Sequence, residues 1–218
     1  MSNIVNEAVE EYIRDLLPEK NDLLKEMEEF AEIHHVPIVH PEVAQLLKVM
    51  TKINKTKSIL EVGTAIGYSA MIFTNAMEDG KLISIEKRED MVDLARKNIQ
   101  RAGLSSKIEV IQGNAEDVLP TLEGKFDLVF LDAAKGQYMK FLSSTIDQLK
   151  PGGVLISDNV LYKGMTASDE YVIRRKITIV KRMRKYLDYL MKHSQLTTSI
   201  LPIGDGVAIS YKNEEEIK

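Results

Sequence analysis

Two aspartates and an asparagine stand where apolar runs stop. Asp132 follows Leu128-Val-Phe-Leu131, and Asp158-Asn159 follows Val154-Leu-Ile-Ser157. All three side chains offer oxygen and none offers sulfur or imidazole. That is the donor set of a hard divalent ion, Mg2+ most simply, with Mn2+ or Ca2+ as alternatives. Two carboxylates and an amide leave coordination positions for water and for substrate oxygens. The plainer alternative is a turn at Asp158-Asn159 and a helix cap at Asp132. Lys135 follows in Asp132-Ala-Ala-Lys-Gly-Gln-Tyr138. A lysine beside a bound cation can serve as a general base; standing alone it would be read as a surface residue.

A second stretch points to an organic ligand. Ser58 to Val62 read as a short buried strand, Gly63 to Gly67 as a tight turn, and Tyr68 onward as a helix, the opening unit of a nucleotide-binding α/β domain. A dinucleotide site uses G-x-G-x-x-G. Here the pattern is Gly63-x-x-x-Gly67, with Ala65 between and no lysine for a phosphate. Glu61, just before Gly63, would repel phosphate and suits a cationic or amine-bearing ligand. S-adenosylmethionine fits: it carries adenosine, a sulfonium and an ammonium, and no phosphate. Glu86 closes the next apolar run, about 20 residues on, where a carboxylate can accept from both ribose hydroxyls. Otherwise it is one solvated charge in Glu86-Lys-Arg-Glu-Asp90. Asn114 and Ala115 are placed beside the adenine, though Asn114 equally suits the cap of the following helix.

The elements that must position these residues alternate. Strands are expected at 58–62, 81–86, 107–112, 126–132 and 152–158, with helices at about 68–78, 89–102, 115–122 and 137–149. This predicts a parallel sheet covered on both faces. Strands at 196–202 and 206–211 flank Ile203-Gly-Asp-Gly206, a hairpin signal. The expected fold is α/β and Rossmann-like, a mostly parallel seven-stranded sheet ending in an antiparallel hairpin, the architecture of S-adenosylmethionine-dependent methyltransferases. Its strands deliver Gly63, Glu86, Asn114, Asp132 and Asp158 to one edge, where ligands of parallel sheets bind. Ahead of the sheet, helices are expected at 3–17, at 20–35 and through Val43, Leu46, Leu47 and Met50. The division is one domain over 1–218, with 1–55 as a helical cap and 56–218 as the core.

Composition excludes some classes. The chain has 218 residues and no cysteine, so disulfides and thiolate metal sites are out. No run of about 18 apolar residues occurs, so no membrane span is expected. The polar start, Met1-Ser-Asn-Ile-Val-Asn-Glu7, is unlike a signal peptide, and a cytoplasmic protein is expected. The net charge of −4 does not mark a polyanion binder, yet nine Lys or Arg against three acidic residues fall between Lys163 and His193. A helix there is read as burying Ile173, Ile177, Val180, Met183, Leu187 and Leu190, which leaves Arg174, Arg175, Lys176 and Arg182 outward. That basic face is either a surface for nucleic-acid phosphates or a solvated helix face.

Glu61-Val-Gly-Thr-Ala-Ile-Gly-Tyr-Ser69, Leu131-Asp-Ala-Ala-Lys-Gly-Gln-Tyr138, Ser157-Asp-Asn-Val-Leu161 and Pro202-Ile-Gly-Asp-Gly206 together resemble the metal-dependent O-methyltransferases, which include catechol and caffeoyl-coenzyme A enzymes. Within that family, His34-His-Val-Pro-Ile38 and Asn159-Val-Leu-Tyr-Lys-Gly164 resemble the bacterial tRNA 5-hydroxyuridine methyltransferases. The resemblance implies Asp132, Asp158 and Asn159 as metal ligands, and Val39, Ser69, Glu86, Asn114, Ala115 and Asp132 at the methyl donor. The family often has Asp where this chain has Asn114. The resemblance implies a homodimer, and 5-hydroxyuridine in tRNA or a small catechol-like or coenzyme A-linked phenol as substrate. Both substrate classes present two neighbouring oxygens.

Overall fold

The apolar runs become strands because their residues can face two ways. In the computed structural model, which describes residues 4–214, β1 (Ser58–Val62) and β4 (Phe126–Leu131) lie at the centre of the sheet. Ile59, Leu128 and Phe130 enter one core, and Leu60, Val129 and Leu131 the other, as the two-residue period of a strand requires. The sheet is completed by β2 (Lys81–Glu86), β3 (Ile108–Gln112), β5 (Leu149–Ser157), β6 (Leu196–Leu201) and β7 (Val207–Lys212). Its order is β3-β2-β1-β4-β5-β7-β6. The first five strands pair parallel, and β7 runs antiparallel to both β5 and β6. The order reverses between β1 and β4, and that switch point opens a crevice at the carboxyl ends of the strands.

On one face pack α3 (Pro41–Ile53), α4 (Tyr68–Ala76) and α5 (Glu89–Arg101), through Val43, Leu47, Met71, Phe73, Val92 and Ile99. On the other lie α6 (Ala115–Val118), α7 (Tyr138–Gln148) and α8 (Ile177–Lys192), through Phe141, Leu142, Met183, Tyr186 and Leu190. Ahead of α3, α1 (Glu7–Asp15) and α2 (Asp22–His34) complete the cap. Their starts are set by Asn6 and Asn21, whose side chains accept from Ala8 N–H and Leu24 N–H. No helix among the described residues is long and apolar enough to cross a membrane.

The expected fold is the observed one, with local corrections. The first helix runs over Glu7–Asp15 rather than 3–17 and buries none of its residues; residue 3 lies outside the described residues. It is tied down by Arg14, whose guanidinium grips the buried Glu42 carboxylate at 2.8 and 2.9 Å. The helix expected over 115–122 is one α turn followed by a 3-10 turn at Leu119–Thr121, where Pro120 removes a donor. The basic segment is not one helix from Ile173. It makes 3-10 turns at Asp169–Tyr171 and Arg174–Lys176 before α8 begins. Ile173 and Ile177 are 52% and 40% exposed, and Tyr186 joins the buried stripe instead.

Candidate active site

The ladder hydrogen bonds continue past the strand ends. Gly63 N–H donates to Ile85, Gly113 N–H to Glu86, Asp132 N–H to Val62 and Asp158 N–H to Leu131. The residues that follow β1 to β5 are thereby held in one row. Beside it lies a cavity of about 560 Å3. Its wall includes Val39, Gly63, Ser69, Glu86, Asn114, Ala115, Asp132, Lys135 and Asn159, so the structure brings together most of the residues expected at a donor and metal site. Val36 to Val39, between α2 and α3, form the side contributed by the cap.

Gly63 is required by packing. Its φ is +107°, and a Cβ there would stand 2.0 Å from the Asp132 carbonyl oxygen. Only glycine lets the turn after β1 come this close to the end of β4. Glu86 holds the same turn from the other side, accepting Ala65 N–H at 3.0 Å, while its second oxygen accepts Arg88 N–H at 2.9 Å ahead of α5. It lines the cavity with both oxygens anchored and lone pairs to spare. Asn114 occupies the N-cap position of α6 without making a side-chain cap bond; its amide donates to Asp117 instead.

Glu61 is placed differently from the rest. Its carboxylate is fully buried beneath the cavity wall and accepts from the Ser69 and Ser84 hydroxyls, and Ser84 pairs in turn with Thr64. It reaches the cavity through Ser69. Burial pushes its carboxyl up to about 7, opposed by the two serine bonds and reinforced by the charges of Asp132 and Glu86.

Asp132 and Asp158 stand side by side on the paired ends of β4 and β5. Burial raises the Asp132 carboxyl to about 6, with Lys135 opposing. Burial raises Asp158 well above its ordinary value, and the neighbouring Asp132 charge adds to this. Asp158 Oδ1 accepts Asn159 N–H, while Oδ2 is buried without any hydrogen-bond partner. A buried carboxylate with an orphaned oxygen, beside a half-buried one that lines the cavity, suits a divalent cation. Among the described residues no group of three or more His, Cys, Asp or Glu gathers for a metal; the set here is two carboxylates and the Asn159 amide. Asn159 adopts φ 56°, and Tyr162 and Lys163 repeat that left-handed conformation at 47° and 55°. Below the pair, the buried Tyr138 hydroxyl donates toward the Leu131 and Asp158 carbonyls at 3.1 and 3.0 Å and ties the two strand ends together.

Lys135 is not a lone amine facing the pair. Its Nζ is 3.1 Å from Asp205 Oδ2 and lies 4.6 Å from the centroid of the Tyr162 ring. Lys176 approaches the same ring at 5.7 Å, while Arg174, Arg175 and Arg182 lie on the outer surface, away from the cavity wall. Arg182 donates to the Gly136 carbonyl. Sequence reasoning missed Tyr138 as a tie and Asp205 as the partner of Lys135. In sequence Asp205 is part of a hairpin signal and of one motif of the family resemblance, with no partner indicated.

Residues 15–213 match the family model of the O-methyltransferases. The chain is 36% identical over 171 residues to the catechol O-methyltransferase of Niastella koreensis, covering 75% of this chain and 77% of that protein. Among solved structures, a Staphylococcus aureus protein assigned as a caffeoyl-CoA O-methyltransferase superposes with a TM-score of 0.89 at 36% identity, covering 95% of this chain and all of that one. An O-methyltransferase from Bacillus cereus, solved in complex with SAH, gives 0.84 at 27% identity, with 94% and 97% covered.

Proposed function

The chain belongs to the O-methyltransferase family, and from that premise we propose that it moves the methyl group of S-adenosylmethionine to a hydroxyl flanked by a second oxygen, with a divalent cation held by Asp132, Asp158 and Asn159. As a member of this family it is an S-adenosylmethionine-dependent O-methyltransferase of the catechol and caffeoyl-CoA type. The observation that carries the finer reading is the orphaned oxygen of the buried Asp158, next to Asp132 and Asn159, which line the cavity. The cation, when bound, would make a chelated hydroxyl more acidic. The chain's own residues do the positioning. Glu86 and the Gly63 turn would hold the adenosine, with Asn114 and Ala115 beside its base and Val39 closing over it. Lys135, held at the edge of the pair by Asp205, would take the hydroxyl proton. Orienting the oxygen in line with the sulfonium methyl group supplies much of the rate enhancement.

For the substrate, a small catechol-like or coenzyme A-linked phenol follows most directly from the relatives' names. A second reading, 5-hydroxyuridine in tRNA, is favoured by the exposed Arg174, Arg175 and Arg182, with Lys176 reaching inward to Tyr162. A homodimer belongs to the same proposal; Val9 and Tyr12 of α1, with Leu16 just after it, expose an apolar stripe suited to it. The deciding experiment incubates the protein with labelled methyl donor and Mg2+, with and without EDTA, on caffeate and on tRNA carrying 5-hydroxyuridine. Chelator-sensitive transfer to caffeate supports the phenol, and conversion to 5-methoxyuridine supports tRNA. Transfer to either that is indifferent to EDTA removes the cation from the reading.

A further inference from the structure

Asp205 sits in the turn between β6 and β7, distant in sequence from the Asp132–Asp158 pair, yet three of its acceptor atoms are committed to the site. Its carbonyl accepts Leu161 N–H at 3.0 Å, its Oδ1 accepts Lys163 N–H, and its Oδ2 is 3.1 Å from Lys135 Nζ. The next residue, Gly206, accepts Val160 N–H at 2.9 Å. The turn is thus bonded to Val160, Leu161 and Lys163 of the loop that follows Asp158. It is also wedged in place. Gly206 has φ +86°, and a Cβ there would lie 2.3 Å from Leu161 Cγ. Gly204, at φ +54°, presses on Val43 and His40 at the start of α3, with a Cβ position 2.8 Å from Val43 Cγ2. Neither glycine admits a side chain without moving its neighbour, so the aspartate between them has little freedom. Its side chain is 13% exposed and that of Lys135 is 23% exposed, so the ion pair is largely shielded from water, where such a pair orients its members more firmly than at the surface.

The geometry points to Asp205 as a positioning residue: one carboxylate oxygen fixes the loop carrying Asn159, and the other holds the Lys135 amine over Tyr162, at the edge of the Asp132–Asp158 pair. This deepens the methyltransferase reading and rests on it. An asparagine would keep the acceptor for Lys163 N–H and lose the charge that holds Lys135, so Asp205→Asn separates the two duties.

The test compares wild type, Asp205→Asn, Lys135→Met and the double variant, each with Mg2+, labelled donor and whichever of caffeate or 5-hydroxyuridine tRNA the wild type methylates. Asp205→Asn should lower kcat at least tenfold, leave SAH affinity within twofold and keep the melting temperature, and it should cause no further loss in the Lys135→Met background. Non-additivity of this kind is the mark of residues acting as a unit. A kcat equal to wild type, or a loss that adds in full to that of Lys135→Met, would overturn the assignment. A readout independent of turnover uses reductively 13C-methylated protein, in which the Lys135 signal, identified by its absence in Lys135→Met, should move in Asp205→Asn. An unmoved signal refutes the pairing. A moved signal in a protein that methylates neither substrate leaves the pairing standing and places the failure with the proposed reaction.

Discussion

Replacing Glu61 by glutamine removes a titration buried under the cavity. The native carboxyl is raised to about 7, against an ordinary value of 4.5. Between those two values the folded protein keeps a proton that the unfolded chain has released. Stability therefore falls as pH rises through that window, and above it the contribution is level. A gap of about 2.5 units corresponds to about 3 kcal/mol, which for a chain of this size is about 6–12 °C in Tm. Glutamine has nearly the same volume, and its amide can meet the Ser69 and Ser84 hydroxyls once they reorient, with no charge to bury. Unfolding of donor-free wild type and Glu61→Gln should be followed by urea or heat from about pH 4.5 to 8. The stability of the variant relative to wild type should climb by about 3 kcal/mol between pH 4.5 and 7 and then stay constant. Asp158 titrates in both proteins, and of the Asp132 titration only the part coupled to Glu61 survives in the difference. Parallel curves would refute the reasoning, because they would mean that Glu61 is ionised across the whole range or reached by water.

Glu86→Ala removes an acceptor from the cavity and one anchor from the glycine turn, so SAH affinity should fall by about 1–2 kcal/mol, the scale of a charged hydrogen bond; unchanged affinity in a calorimetric titration would make Glu86 a bystander. Mn2+ binding should weaken as pH drops through about 6, because Asp132 must give up its proton to become a ligand, and Asp158→Ala should abolish that binding; affinity constant from pH 5 to 8 argues against this site. Gly206→Ala forces a side chain into Leu161 at positive φ, and should cost about 2–4 kcal/mol in urea unfolding. Replacing Arg174, Arg175 and Arg182 together by glutamine should raise the KM for tRNA and flatten its salt dependence, whereas an unaltered salt slope would leave those residues as solvated surface.

What could be read from the chain was what local pattern encodes. Apolar runs ending in Asp132 and Asp158 identify strand ends because the side-chain period and the sudden polar residue both belong to a few neighbouring positions. Glu61 shows the limit. A carboxylate before a glycine turn looks the same whether it faces a ligand or two serines, and the register that sets Glu61 against Ser84 joins separate strands. Lys135 and Asp205 are 70 residues apart, and a Gly-Asp-Gly turn is sufficient explanation for itself until β7 is laid beside β5. The basic segment misled in another way. Ile173 continues the apolar spacing of α8, but it meets no core there, and the backbone makes two 3-10 turns before the helix starts.

The clamp at Asp205 and Gly206 also orders events in time. The groups it pins, on Lys135, Val160, Leu161 and Lys163, are synthesised earlier, and the hairpin that carries it comes after α8. The same turn meets the start of α3 through Gly204 and the loop after Asp158 through Asp205 and Gly206. The cap side of the cavity and the loop beside the carboxylate pair are therefore joined through residues translated after both.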